Sequence, residues 1–94
     1  MNTQILADKI IELTEHFNRY VFDHPEILDR IPNKAVLVLL DVDDPEFNLA
    51  NLELAEATPL SAGGQRVHIK MKKQMRTIRQ VHWEADIQPT PQLA

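Results

Sequence analysis

Six consecutive apolar residues, Ala35 to Leu40, are the feature that most narrows the folds open to this chain. An apolar run of this length without alternation is typical of a strand that is buried on both faces, as in a parallel sheet. Asp44 and Pro45 follow closely, and such a pair is typical of a helix with an aspartate cap and a proline in its first turn. We therefore predict a buried strand over 35–40 and a helix over 45–57, whose apolar stripe comprises Phe47, Ala50, Leu54 and Ala57, widened by Leu49 and Leu52.

A second strand is predicted after this helix. Val67, Ile69 and Met71 alternate with polar residues, four of which are Arg66, His68, Lys70 and Lys72. This pattern indicates a half-buried strand with one basic face. A strand–helix–strand unit within one sheet is almost always right-handed, with parallel strands. The sequence thus predicts a small two-layer α/β domain built on a right-handed βαβ unit with two parallel strands.

The flanking segments complete this domain. Five apolar residues at helical spacing predict an amphipathic helix over 3–22: Leu6, Ile10, Leu13, Phe17 and Val21. Pro25 begins a short helix that ends near Arg30 and directs Ile27, Leu28 and Ile31 inward. Residues 73–83 fit both a helical stripe and an alternating strand, and we favour an extended segment or a third strand. We expect one domain over 1–87 and a flexible tail over 88–94.

Size and composition exclude several classes of protein. The 94 residues support a single domain, and the absence of cysteine excludes disulfides, thiol nucleophiles and cysteine-ligated zinc. A membrane span needs about 20 apolar residues, far more than the longest run here. The N-terminus lacks a basic region followed by an apolar stretch, as a signal peptide would have. We expect a cytoplasmic protein that does not enter a membrane.

Several separated blocks carry a family resemblance. They are the segment Tyr20–Pro32, which contains His-Pro-Glu-Ile-Leu and Arg-Ile-Pro, the apolar strand, and the blocks Asp43–Asn48 and Asn51–Ala55. Over residues 5–72 the chain resembles a family of small uncharacterised prokaryotic α/β proteins, a domain of unknown function. The resemblance implies a compact α/β domain whose last strand continues into an extended segment. It brings no activity and no catalytic residue.

An acidic cluster follows the first predicted strand: Asp41, Asp43, Asp44 and Glu46. Ligands of open α/β sheets bind beyond the carboxyl ends of the strands, and Mg²⁺ prefers oxygen ligands. These four residues are therefore the candidate metal ligands. The other interpretation is structural: Asp44 caps the helix, Glu46 suits a helix N-terminus, and the remaining two are solvated loop acids.

A basic strip lies in the second half of the chain, and it contrasts with the acidic first half. Residues 1–60 hold four basic and twelve acidic side chains, whereas residues 61–82 hold six basic side chains and no acid. Cations with a nearby aromatic ring can bind nucleic acid, but an acidic body with a pI of about 5.4 repels phosphates. The strip can also simply neutralise acids folded against it. Its candidate partner-binding residues are Arg66, His68, Lys70, Lys72, Lys73, Arg76, Arg79 and Trp83.

The sequence contains no recognisable catalytic motif, because its single serine and four histidines lack the spacing of known catalytic or metal-binding sites. We expect a non-enzymatic protein-interaction module, a homo-oligomer or a binder of one protein partner, with no cofactor and with nucleic acid disfavoured. A small regulatory or toxin–antitoxin-type component is the setting that its size suggests. The alternative is a metal-dependent enzyme that acts on phosphates or nucleic acid through Asp41, Asp43 and Asp44.

Overall fold

The computed structural model describes residues 1–90. In chain order it contains helix α1 (Thr3–Asp23), a short 3₁₀ helix (Pro25–Arg30), strand β1 (Ala35–Asp41), helix α2 (Pro45–Ala57) and strand β2 (Gln65–Met71). The two strands are parallel, and the pairing runs from Ala35 opposite Gln65 to Asp41 opposite Met71. The predicted α/β class with two parallel strands joined through a helix is confirmed, as are the four main elements.

Local signals in the sequence explain where the helices begin and end. The side-chain oxygen of Asn2 accepts the backbone N–H of Gln4 at 2.6 Å and caps α1. Pro25 follows the end of α1, since the residue before a proline avoids the helical region. The carboxylate of Asp44 accepts the N–H of Phe47 at 3.1 Å, and Pro45 occupies the first turn of α2.

The core lies where α1 packs over one face of the sheet. Leu13 and Phe17 of α1, Leu39 of β1 and Phe47 of α2 are its buried centre. Six partly buried residues pack against this centre: Leu6, Ile10, Val21, Ile31, Ile69 and Met71. The predicted stripe of α1 is therefore the face that contacts the sheet.

Strand β1 is buried over its second half only. Val38, Leu39 and Leu40 are at most 7% exposed, whereas Val36 and Leu37 are 39% and 37% exposed. Neighbouring strand residues point to opposite faces, so both faces are covered at 38–40. The prediction of a strand buried on both faces holds there and fails at the start of the strand.

Some predicted apolar contacts are wrong, on the 3₁₀ helix and on α2. Leu28 of the short 3₁₀ helix is exposed, although Ile31 packs inward as expected. On α2, Leu49, Leu54 and Ala57 are exposed, and the buried positions are Phe47 and Asn51. The helix is turned this way because the amide of Asn51 donates to the carbonyl of Leu39 at 2.8 Å.

Residues 72–90 form no helix or strand, and all of them are exposed; we call this segment the C-terminal arm. The described part of the chain thus contains no third strand. The Cα radius of gyration is 24.1 Å, about twice the roughly 13 Å of a compact chain of 100 residues, because the arm projects from the body. Of the predicted tail, residues 88–90 belong to the arm and 91–94 lie outside the described residues.

No helix within residues 1–90 has the length and apolar content to cross a membrane.

Candidate functional site: the acidic turn and the basic strip

Asp41, at the carboxyl end of β1, is a buried carboxylate with both oxygens engaged. It is 5% exposed. One oxygen lies 2.9 Å from the ammonium group of Lys9 on α1. The other accepts the backbone N–H of Asp43 at 2.9 Å. A buried carboxylate is tolerated when charged and polar donors satisfy it in this way.

This pairing shifts the titration of both partners. The hydrogen bond from Lys9, with a further contribution from the Asp43 N–H, holds the pKa of Asp41 below its ordinary value. The same hydrogen bond to Asp41 raises the pKa of Lys9 above its ordinary value, although partial burial opposes this. Both side chains are therefore more firmly charged in the folded protein than in the unfolded chain.

Of the other three candidate metal ligands, one caps a helix and two have exposed side chains. Asp44 caps α2, and its other oxygen lies 3.8 Å from the Lys9 ammonium group. The side chain of Asp43 is exposed, and that of Glu46 is exposed with the amino group of Met1 at 4.0 Å. Within residues 1–90, no three histidine or carboxylate side chains are placed to hold a metal ion. The structure brings Asp41 and Asp44 together around Lys9, which itself supplies a positive charge.

Two asparagines of α2 bind backbone groups at the carboxyl end of β1, and neither was predicted from the sequence. The side chain of Asn48 accepts the N–H of Asp41 at 2.9 Å and donates to its carbonyl at 2.6 Å. Asn51 binds the carbonyl of Leu39, as described above. Asparagine is unfavourable in a helix interior, so two asparagines three positions apart within α2 could have indicated that their side chains bind backbone groups of a neighbouring element.

The basic strip divides into an engaged and a free part. Arg66 donates to the carbonyls of Ala55 at 2.9 Å and Thr58 at 2.7 Å, which caps the end of α2. His68 and Lys70 are exposed on the same face of β2. The remaining five predicted residues are exposed on the arm: Lys72, Lys73, Arg76, Arg79 and Trp83.

The acidic turn and the start of the basic strip meet in one groove. This groove, about 250 Å³ in volume, lies between α1 and the end of β2 and includes Lys9, Asp41, Lys72 and Lys73. The positive charge of Lys73 contributes to the lowered pKa of Asp41. The groove therefore brings the start of the basic strip close to the acidic turn, and neither Lys72 nor Lys73 forms an ion pair within residues 1–90.

The arm exposes large apolar side chains along most of its length. Its apolar residues are between 77% and 100% exposed: Met75, Ile78, Val81, Trp83 and Ile87. From residue 77 to residue 90, the side-chain hydrogen bonds and ion pairs are local, His82 with Glu84 and Gln88 with Asp86. The arm thus combines free cations with free apolar groups.

The fold and these surfaces define a small α/β protein with an open two-stranded parallel sheet and an exposed C-terminal arm. Residues 5–84 match the model of a family of unknown function, DUF5647, and the chain belongs to this family. The matched region includes the arm as far as residue 84. No curated protein and no solved structure matches the chain.

Proposed function

We propose that this protein is a non-enzymatic protein-interaction module that binds through its C-terminal arm and the adjoining basic face of β2. The observation that carries the proposal is the exposure of the arm's apolar side chains, of which Trp83 is 96% exposed. Clustered apolar groups in contact with water mark interaction sites, and tryptophan and arginine are enriched at their centres. The partner is a second copy of the chain or one other protein.

Charge defines the chemistry of the partner surface. Among residues 1–90, Lys70, Lys72 and Lys73 take part in no ion pair. A partner that presents carboxylates would therefore gain from contact with this face. The body of the chain itself is such a surface, with twelve acidic residues in positions 1–60.

The alternative, a metal-dependent enzyme at the acidic turn, has less support because Asp41 and Asp44 already face the ammonium group of Lys9. A melting temperature that rises with Mg²⁺ or Mn²⁺ and returns with EDTA would favour this alternative, because a ligand that binds only the folded state stabilises it. Under the interaction proposal, the protein is a cytoplasmic regulatory component, of which a toxin–antitoxin partner is one form.

Sedimentation velocity on the full chain tests the proposal. We expect a species above the 10.8 kDa monomer at high micromolar concentration. The double change Lys70→Glu with Lys72→Glu should weaken this association by about tenfold or more, as for loss of roughly 1.4 kcal/mol. The control, Arg19→Glu with Arg30→Glu, changes the net charge equally at exposed positions outside the strip. A chain that stays monomeric and captures no protein from a lysate of its host contradicts the proposal.

A further inference from the structure

One edge of β1 is not covered by another strand. Backbone groups of alternate residues in a parallel strand point to the same edge. Val42 donates its N–H to the carbonyl of Met71, so the even-numbered residues of β1 face β2. The backbone groups of the odd-numbered residues therefore point to the outer edge, and the N–H of Ala35 there donates to the carbonyl of Pro32 at 3.3 Å.

The outer edge is closed at its carboxyl end and open in the middle of the strand, around Leu37. Asn48 binds both backbone groups of Asp41, and Asn51 binds the carbonyl of Leu39. No hydrogen bond within residues 1–90 reaches the outward N–H or C=O of Leu37. An unpaired edge of this kind accepts an added strand.

The open stretch forms the floor of an apolar groove. The groove, about 330 Å³ in volume, lies between α1 and the second half of α2. Its walls include Ile10 and Phe17 on one side and Leu54 and Ala55 on the other, with Val36 and Leu37 in the floor. These walls place apolar side chains next to free backbone groups, which is what strand addition requires.

The arm contains a segment with the pattern of a half-buried strand. Val81, Trp83, Ala85 and Ile87 alternate with the polar residues Gln80, His82, Glu84 and Asp86. Period-two alternation over eight residues gives one apolar and one polar face in an extended chain. Trp83 and its apolar neighbours are nearly fully exposed, so the segment has no apolar partner within the described chain.

The net charge of the flanking helices favours a second copy as the partner. The residues that line the groove are uncharged, but the helices that supply its walls are acidic overall: α2 carries three acidic residues and no basic one, and α1 carries four acidic and two basic residues. The start of the arm carries four cations: Lys72, Lys73, Arg76 and Arg79. The arm projects away from its own body, which places residues 80–87 where a neighbouring molecule can receive them.

Resting on the proposed function, we propose that residues 80–87 of one copy add as a strand to the outer edge of β1, at residues 35–39, in a second copy. Reciprocal exchange of arms gives a closed two-fold dimer in which each copy both donates and accepts a strand. The sheet of each protomer then has three strands, with the third supplied by the partner.

The single tryptophan of the chain provides a direct test. As concentration rises through the association range, the Trp83 emission should shift to shorter wavelength and its quenching by acrylamide should fall. Trp83→Asp should raise the dimer dissociation constant by about tenfold or more, since buried aromatic residues dominate interfaces. The matched control His82→Asp introduces a carboxylate on the polar face of the same segment and should change the constant by less than about threefold.

Cross-linking identifies the acceptor edge, and the absence of natural cysteine keeps it unambiguous. A chain carrying Leu37→Cys mixed with a chain carrying Val81→Cys should give a mixed dimer with a short bismaleimide. Ser61→Cys mixed with Val81→Cys is the control and should give none. A chain that carries both Leu37→Cys and Val81→Cys tests whether the arm folds onto its own sheet. Cross-linking within this single chain at low concentration, together with protection of Trp83 from acrylamide at every concentration, would overturn the inference.

Two further outcomes separate this inference from the proposed function. Self-association with Trp83 still exposed and no link between positions 37 and 81 overturns the exchange of arms but retains an interaction module. A monomer that binds no protein overturns both.

Discussion

At the scale of single residues, Asp41 is the one charged side chain that is buried among residues 1–90. It is the last residue of β1, and Lys9 and the N–H of Asp43 each bind one of its two carboxylate oxygens. A charge in such a position is stable only while its partner remains, because an unpaired buried charge is costly. The pair therefore locks α1 to the end of β1.

Replacement of Asp41 by asparagine tests this role. We expect Asp41→Asn to lower the free energy of unfolding by about 2–3 kcal/mol, because Lys9 loses a charged hydrogen bond. Urea unfolding at neutral pH measures the change. Asp43→Asn, at the exposed neighbour whose side chain makes no hydrogen bond, should cost less than about 0.5 kcal/mol. Equal costs at the two positions would mean that the ion pair adds nothing.

The ion pair also predicts how stability depends on pH. Because the pKa of Asp41 is lower when folded than its ordinary 3.8, its stabilisation is complete above that value and is lost as pH falls below it. Because the pKa of Lys9 is raised above 10.5, its stabilisation is present below that value and is lost as pH rises through the folded pKa. The difference in unfolding free energy between wild type and Asp41→Asn should be constant between these limits and shrink outside them. A difference that changes between pH 6 and pH 8 would contradict this assignment.

At the scale of elements, β1 combines a buried half with an exposed half. Val38 and Val36 share one face of the strand, but Val38 is 3% exposed and Val36 is 39% exposed. The same substitution at these two positions therefore separates burial from strand propensity.

We expect Val38→Asp to abolish folding, because an unpaired buried carboxylate costs more than a domain of this size can lose. Val36→Asp should remain folded, with a loss of about 1 kcal/mol. Far-ultraviolet circular dichroism at 25 °C distinguishes the two. A folded Val38→Asp protein would show that the centre of β1 is not the core of the sheet.

The sequence predicted the elements well because their signals are local. Asp44 and Pro45 mark the start of α2, and the alternation of Val67, Ile69 and Met71 marks β2. The pairing of Lys9 with Asp41 joins residues on separate elements, and twelve acids of the first half were equally available as partners. The inward position of Asn51 likewise depends on a carbonyl of β1, which no periodicity of α2 reveals. The basic strip was predicted from the charge pattern alone. That Arg66 is not free to bind a partner could not be predicted, because Arg66 donates to a carbonyl at the end of α2 and the pattern does not show where that helix end lies.

At the scale of the whole molecule, the charge layout governs the choice of macromolecular partner. With Arg66 engaged by α2, five exposed lysines and arginines remain in the strip: Lys70, Lys72, Lys73, Arg76 and Arg79. They stand beside a body that is strongly acidic. Phosphate backbones would meet attraction on the strip and repulsion from the body.

We expect binding to generic DNA or RNA to be weak and to vanish near physiological salt. Gel shifts from about 50 to 200 mM salt measure this, since five phosphate contacts would give a slope of log affinity against log salt of about −3.5 to −4.5. The variant Lys70→Glu with Lys72→Glu removes two of these cations and serves as the control for residual binding. Sub-micromolar affinity at about 150 mM salt would favour a nucleic-acid protein instead.

The register of the sheet has a consequence for how the chain folds. Each residue of β1 pairs with the residue thirty positions later, from Ala35 opposite Gln65 onward. Closing a flexible loop of that length costs about 3 kcal/mol in chain entropy before any pair forms. The 13-residue helix α2, about 20 Å long, returns the chain along a 7-residue strand of about 23 Å, so its formation removes most of that cost. We therefore expect α2 to be structured in the folding transition state and β2 to dock later. Glu53→Gly, at an exposed position in α2, should mainly slow folding, whereas His68→Gly, at an exposed position in β2, should mainly speed unfolding. Stopped-flow kinetics measures both rates.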